Sequence, residues 1–314
     1  MSLRATLHQI QPLHYCDPQD EHDLPSHVRA GSAIRRWNGY RVIVQDDVNA
    51  LALLDEATGN IFPVLLPPGS DGRRTFGDEL KNKRHKMDLE ASVALPDGRL
   101  IAFGSGSTPI REHLVVLSPN LDVQVIHAPE LYAALHSNKD FSGSELNIEG
   151  AVIVENRLRF FQRGNGAPIE DLQPVDATGD MLFDDFLKWL EGGPVPALRD
   201  VRSFDLGQVN GVNFGFTDAA VLPDSRVAFI SCAEDSPDTY QDGEILGCRF
   251  GIIGDDIQLV DIFDAAGDAC DLKLEGIDFL RPLADGFEFV VVADMDDPHT
   301  PATMAKLRVE TGAR

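Results

Sequence analysis

The 314-residue sequence lacks any apolar run approaching the roughly 20 residues a membrane-spanning helix needs. Residues 1–15, MSLRATLHQIQPLHY, hold no continuous apolar segment and no small-residue cleavage site, so nothing there directs export. Only four cysteines occur (Cys16, Cys232, Cys248 and Cys270), and their spacing fits no metal-binding pattern. Cys232 and Cys248 can face each other on neighbouring strands, but reduced, buried thiols are the expected state, and a cytoplasmic protein is expected. Positive charge is scarce as well. With 27 basic against 51 acidic residues the net charge is −24, which excludes nucleic acid and anionic membrane as bulk partners. It favours bound cations or a heavily solvated surface. The glycine- and hydroxyl-rich GSGSTP (104–109) is not followed by Gly-Lys-Ser/Thr and is no P-loop. His113, His127, His136 and His299 have no helix-spaced metal partners, and no Ser–His–Asp set is evident, so a serine or cysteine hydrolase has no support.

What is present is strand. Hydrophobic residues make up 43% of the chain, ample for a core. Short runs such as YRVIVQDD, RLIAFGSG, RLRFFQR, RVAFISC and FEFVVVAD are β-branched or aromatic, and Asn-Gly, Pro-Asp-Gly or Ala-Asp-Gly turns separate them. Two segments read as helices inserted on a β scaffold: 128–137 and 178–193. The second places Met181, Leu182, Phe186, Trp189 and Leu190 on one face.

Repetition carries the fold assignment. DLEASVALPDGRLIAF (88–103) is echoed by NIEGAVIVENRLRFF (147–161), GFTDAAVLPDSRVAFI (215–230) and KLEGIDFLRPLADGFEFVV (273–291), and more weakly by AGSAIRRWNGYRVIV (30–44). Alignment puts Ser32, Glu90, Glu149, Thr217 and Glu275 in one register, 58, 59, 68 and 58 residues apart. The long interval holds the 178–193 insertion. A four-stranded repeat is a propeller blade whose first strand lines a central channel. The expectation is therefore one all-β domain over 1–314: a five-bladed β-propeller with blades starting near 30, 88, 147, 215 and 273. Residues 4–13 would supply the missing strand of the last blade, and the helical insertion lies in the third. A β-sandwich or an incomplete six-bladed ring is the competing architecture.

Five such side chains converging on an axis include three glutamates, which cannot all stay charged unaided. A hard divalent cation resolves this, and the all-oxygen set of Ser32, Glu90, Glu149, Thr217 and Glu275 suits Ca2+ and not zinc. Asp88 and Asp218 lie near the same level and can join or replace a ligand. The plainer reading is that these residues only cap backbone groups. GRRTFGDELKNKRHK (72–86) is the one basic cluster; it directly precedes the strand of Glu90 and should overhang the same face. It is a candidate phosphate or carboxylate receptor through Lys83, Arg84 and Lys86, or a solvated loop balancing nearby acids. Arg163, with Gly164 and Gly166, can clamp an anion or pair with a surface acid.

The same residues resemble the soluble calcium-activated nucleotidases (apyrases), five-bladed propellers with a calcium ion in the channel. That family's serine, glutamate, glutamate, serine, glutamate pattern looks like Ser32, Glu90, Glu149, Thr217, Glu275. WNGYRVIVQDD, RLRFFQR, GFTDAAVLP, AEDS (233–236) and KLEGIDFL resemble its further motifs in order. The likeness implies a water-activating or cation-coordinating carboxylate at Asp46 or Asp47, where the sequence alone reads equally as a turn. It departs at AGSAI, at the single Arg163, and at Thr217 in place of serine. Three functions follow as expectations: a calcium-dependent hydrolase of a small phosphorylated or other anionic substrate, a non-catalytic propeller with a structural ion that binds a protein or small ligand, and an esterase- or lactonase-type propeller.

Overall fold

The turn-bounded apolar runs are strands in the computed structural model, which describes residues 3–17, 20–235, 243–254 and 256–312. After β1 (Leu3–Pro12), the strands β2 (Gly31–Trp37), β3 (Tyr40–Gln45), β4 (Ala50–Asp55) and β5 (Ile61–Leu65) form an antiparallel sheet in chain order. A second such sheet is β6 (Leu89–Ala94), β7 (Leu100–Gly104), β8 (His113–Leu117) and β9 (Val123–His127). Helices α1 (Pro129–Ser137) and α2 (Lys139–Ser142) lead to the third sheet: β10 (Ile148–Val154), β11 (Arg157–Gln162), β12 (Asp176–Leu182) and β13 (Arg199–Phe204). Helix α3 (Phe183–Leu190) joins its last two strands, and a small hairpin of β14 (Gln208–Val209) and β15 (Val212–Asn213) follows.

The remaining strands form one eight-stranded sheet: β16 (Gly215–Val221), β17 (Val227–Asp235), β18 (Glu244–Ile253), β19 (Ile257–Phe263), then β1, β22 (Thr303–Thr311), β21 (Gly286–Asp294) and β20 (Lys273–Leu283). Its two meanders meet where β1 runs antiparallel to β22 and touches β19 in parallel at Ala5 and Thr6.

The first strands contact one another in the cycle β2, β6, β10, β16, β20 and back to β2. Apolar clusters fill the wedges between neighbouring sheets. Phe103 and Phe160 pack between the second and third, Phe161 and Phe229 between the third and the β16 meander, and Ile34 and Val292 between β20–β22 and the first sheet. The protein is all-β and propeller-like, with sheets radiating from an axis.

Arg35 occupies that axis. Its guanidinium donates to the carbonyls of Ile34, Ser92, Ala151, Ala219 and Ile277, at 2.6–3.1 Å, one from each inner strand. It also donates to both carboxylate oxygens of Asp218, at 2.7 and 2.9 Å. Asp218 is therefore committed below the level of the glutamates; its Oδ2 also accepts from the Ile277 backbone N–H.

Two expectations need correction. The 178–193 segment is not one helix: residues up to Leu182 belong to β12, where Asp180 accepts two bonds from Arg159 on the neighbouring strand at 2.7 and 2.8 Å. Cross-strand pairing overrides the helical period there. Cys232 and Cys248 are not reduced thiols but a disulfide, because they are directly opposed on β17 and β18 with Cα atoms 4.2 Å apart.

Removing Arg35 leaves Asp218 buried without its counter-ion. Arg35→Met is expected to lower the unfolding free energy by about 3–5 kcal/mol in a urea titration. Arg36→Met, whose side chain is mostly exposed, should cost less than about 1 kcal/mol. Equal, small losses would show that the axis does not depend on Arg35.

Candidate functional site

Each of the five aligned residues sits on a backbone irregularity. Pairing of the first two strands slips between Gly31 and Ala33, Leu89 and Ala91, Ile148 and Gly150, Phe216 and Asp218, and Leu274 and Gly276. The residue skipped in each case is Ser32, Glu90, Glu149, Thr217 or Glu275. A bulge adds one residue opposite none and turns its side chain out of the regular alternation. The Gly after two of the glutamates has its own cause. A Cβ on Gly276 would lie 2.8 Å from the Ile34 nitrogen, and one on Gly150 3.2 Å from the Asp218 Cα, so only glycine lets adjacent inner strands approach this closely.

Above the bulges lies a pocket of 480 Å³ lined by Ser32, Glu90, Glu149 and Glu275, and also by Asp46, Lys83, Arg84, Lys86 and Arg163. Thr217 is fully buried beneath it. The two hydroxyls tie neighbouring inner strands together: Ser32 Oγ donates to the Leu89 carbonyl at 2.6 Å and Thr217 Oγ1 to the Leu274 carbonyl at 2.7 Å. Each acceptor is the residue just before a glutamate of the register.

The glutamates are unequally satisfied. Glu149 Oε1 accepts from Asn147 at 2.6 Å and lies 3.5 Å from Arg163. Glu275 Oε1 stands 3.7 Å from Lys273 and 3.9 Å from Arg163, while its Oε2 is buried with no hydrogen-bond partner. Glu90 has no hydrogen bond or ion pair among the described residues. Burial, and then repulsion from Asp46, Asp88 and Glu149, pushes the Glu90 carboxyl far above the usual range. Burial together with Glu149 and Glu234 does the same to Glu275, against the pull of Lys273 and Arg163. Glu149 is raised by burial too, with Arg163 opposing.

Along one wall, Lys86 binds Asp46, Asp47 and Asp88 at 2.6, 3.2 and 2.8 Å. Its charge is spent on these acids, so it is no open anion receptor. Asp47 also pairs with Arg29 at 3.1 Å; Lys86 and Arg29 outweigh burial and hold it low. Asp47 lines a smaller neighbouring pocket of 250 Å³ instead. Asp46 lines both, keeps a buried Oδ1 with no partner, and is pushed up to about 7 by burial and by Asp47. Lys83 pairs with Asp78 at 3.0 Å, and Arg84 is exposed at the rim beside His85.

Asp46, Asp88 and Glu90 can offer oxygens within 4.8 Å of one another, the one such trio among the described residues. Asp88, however, is already bound by Lys86, Arg111 and Ser105. The glutamates of the register stand farther apart than that.

Three participants went unseen in the sequence. Lys273 lies two residues before Glu275, a proximity in sequence that could have exposed it, although the bulge at Glu275 breaks strict alternation. Glu234 receives Arg163 at 3.0 Å; AEDS stood out in the sequence only as a resembling motif, and Ser236 of that stretch lies outside the described residues. Asp294 ends β21, lines both pockets, and is pushed up to about 7 by burial.

The sequence matches, over residues 27–309, a family described as "Family of unknown function (DUF6929)". No curated protein matches it. Among solved structures the chain is similar to a Penicillium chrysogenum alpha-L-arabinanase complexed with arabinobiose, at 9% identity over 96% of this chain and 98% of that one, TM-score 0.48. It is similar also to a Myxococcus xanthus glutaminyl cyclase (10% identity, 99% and 98% covered, TM-score 0.47) and to a Xanthomonas campestris gluconolactonase (10%, 97% and 97%, TM-score 0.44). Likenesses this distant say nothing about chemistry. Among the described residues, no helix is long and apolar enough to cross a membrane.

The folded state holds the Asp294 proton up to about pH 7, whereas the unfolded chain loses it near 3.8. The stability this contributes is present at low pH and lost as pH rises through that window. Asp294→Asn should therefore gain on the wild type in melting temperature from about pH 5 to about pH 8, measured in chelator. A constant or shrinking difference would show that Asp294 is not held protonated.

Proposed function

We propose, for a chain that belongs to the DUF6929 family, a metal-dependent hydrolase acting on a small phosphorylated or otherwise anionic substrate at the mouth of a five-bladed propeller. The observation that carries this reading is Glu275 Oε2: a buried carboxylate oxygen with no partner, on a bulge-aimed side chain at the pocket floor. Such an atom costs free energy unless something occupies it. The donors around it are carboxylates and hydroxyls, which suits a hard divalent cation, calcium by its tolerance of many oxygens. Glu90, Glu149 and Glu275 would hold the ion, with Ser32 and Thr217 offering lone pairs once their protons are committed to Leu89 and Leu274. When bound, such an ion polarises a phosphoryl or carbonyl oxygen.

The chain supplies the rest. Asp46, titrating near 7 and reaching the pocket, is placed to take a proton from water; Asp47 instead secures Lys86 and Arg29. Arg163, and Lys83 and Arg84 at the rim, would meet substrate charge. The resemblance to calcium-activated nucleotidases belongs to this reading, whereas the Cys232–Cys248 disulfide weighs against the cytoplasmic setting expected from the sequence. An esterase- or lactonase-type propeller fits less well, since that chemistry calls for a largely apolar pocket and this lining is mostly charged. The purely structural ion is disfavoured because the floor opens into a ligand-sized pocket.

Calcium at a hundred times its Kd should stabilise the protein by about 2.7 kcal/mol, seen as a rise in melting temperature. Glu275→Gln and Glu149→Gln should each lose most of that rise. Phosphoester turnover, if calcium-dependent, should fall by about 10² or more in Asp46→Asn. A wild type indifferent to calcium, strontium and magnesium in melting temperature would remove the basis for the reading.

A further inference from the structure

Arg163 and Lys273 stand where the register glutamates face one another, and each makes one close contact and longer ones. Arg163 Nη2 meets Glu234 at 3.0 Å, but its Nη1 lies 3.5 Å from Glu149 and 3.9 Å from Glu275. Its Nε is buried with no hydrogen-bond partner, and the side chain itself is nine-tenths buried or more. Lys273 Nζ meets Asp296 at 2.9 Å and Glu275 at 3.7 Å. The close contacts anchor both cations to the pocket wall. A Cβ at Gly215 would lie 2.8 Å from Arg163 Cγ, so the backbone of β16 also confines the arginine. The longer contacts supply charge to Glu149 and Glu275 without good hydrogen-bond geometry, which is how a replaceable counter-ion sits.

The whole lining points the same way. Nine acidic side chains against six basic ones leave an excess of three negative charges when all are ionised. With all of them ionised, such a pocket repels an anion. A divalent cation on the glutamates removes most of the excess and takes over the task of Arg163 and Lys273, which stay anchored at the wall.

We propose that Arg163 and Lys273 are built-in counter-ions that make ligand binding sequential: the divalent cation binds first and, by taking over the charge of Glu149 and Glu275, leaves these two anchored side chains to meet the ligand's anionic group. This rests on the cation reading above and deepens it into positive coupling between the two ligands. Coupling of binding is reciprocal, so the anion must tighten the cation by the same factor.

The test is isothermal titration calorimetry of the full chain with CaCl2 and with methylphosphonate, each alone and each in the presence of the other, with protein-free blanks. Methylphosphonate should bind at least about fivefold more tightly to the calcium-saturated protein. Arg163→Gln and Lys273→Gln should each bind calcium more tightly than the wild type, having lost a competing cation, and should lose most of the coupling. A residue of merely structural importance would weaken calcium when replaced, and that result overturns the proposal. Calcium binding with no effect on methylphosphonate in the wild type overturns it as well and leaves the cation reading standing. A chain that takes up no calcium overturns both.

Discussion

A single buried guanidinium organises the molecule. Arg35 accepts the geometry of five inner strands at once, and the five carbonyls it binds are each two residues beyond a member of the aligned register. Each carbonyl lies just past a bulge, so the rosette around Arg35 also sets the height of Ser32, Glu90, Glu149, Thr217 and Glu275. A slip by one residue in any sheet would present an N–H where a carbonyl is needed. Burying this cation is costly, and Asp218 together with the carbonyls offsets the cost.

Above that level the strands depart from regularity for a reason. A bulge in every first strand frees one side chain from the alternation, and glycine beside two of the glutamates removes the Cβ that would hold adjacent strands apart. The hydroxyl members bind neighbouring inner strands while the carboxylates remain uncommitted enough to share protons, counter-ions or a metal. Structure and chemistry are thus divided among the five positions by residue type: Ser32 and Thr217 hold the ring together, and the glutamates face the cavity.

Much of this was legible as pattern. The repeats reveal the strands and the register, because a recurring acid or hydroxyl before a small residue and a strand survives even where sequence similarity is slight. The site's electrostatics were not legible. Nothing in AIRRW separates Arg35, fully enclosed on the axis, from Arg36, which points to solvent. Lys86 looked like part of a cationic loop, but three aspartates surround it, two of them just past β3 in another sheet. Which acids end beside which bases depends on how sheets face one another, and a linear reading contains no such distances. The helix expected over 178–193 erred for a related reason: periodicity cannot reveal that Asp180 will find Arg159 on the next strand.

The outermost strand has a consequence for how the molecule comes into being. β1 pairs with β22, so residues 3–12 find their partners at 303–311, almost a full chain length away. During synthesis β1 must wait, its backbone groups unsatisfied by their eventual neighbours, until the whole stretch leading to β22 has been made. Sheets in the middle of the chain pair locally and can assemble as they emerge. The ring can be completed only once β22 has emerged, and until then the growing chain carries an unpaired strand edge that other chains can capture.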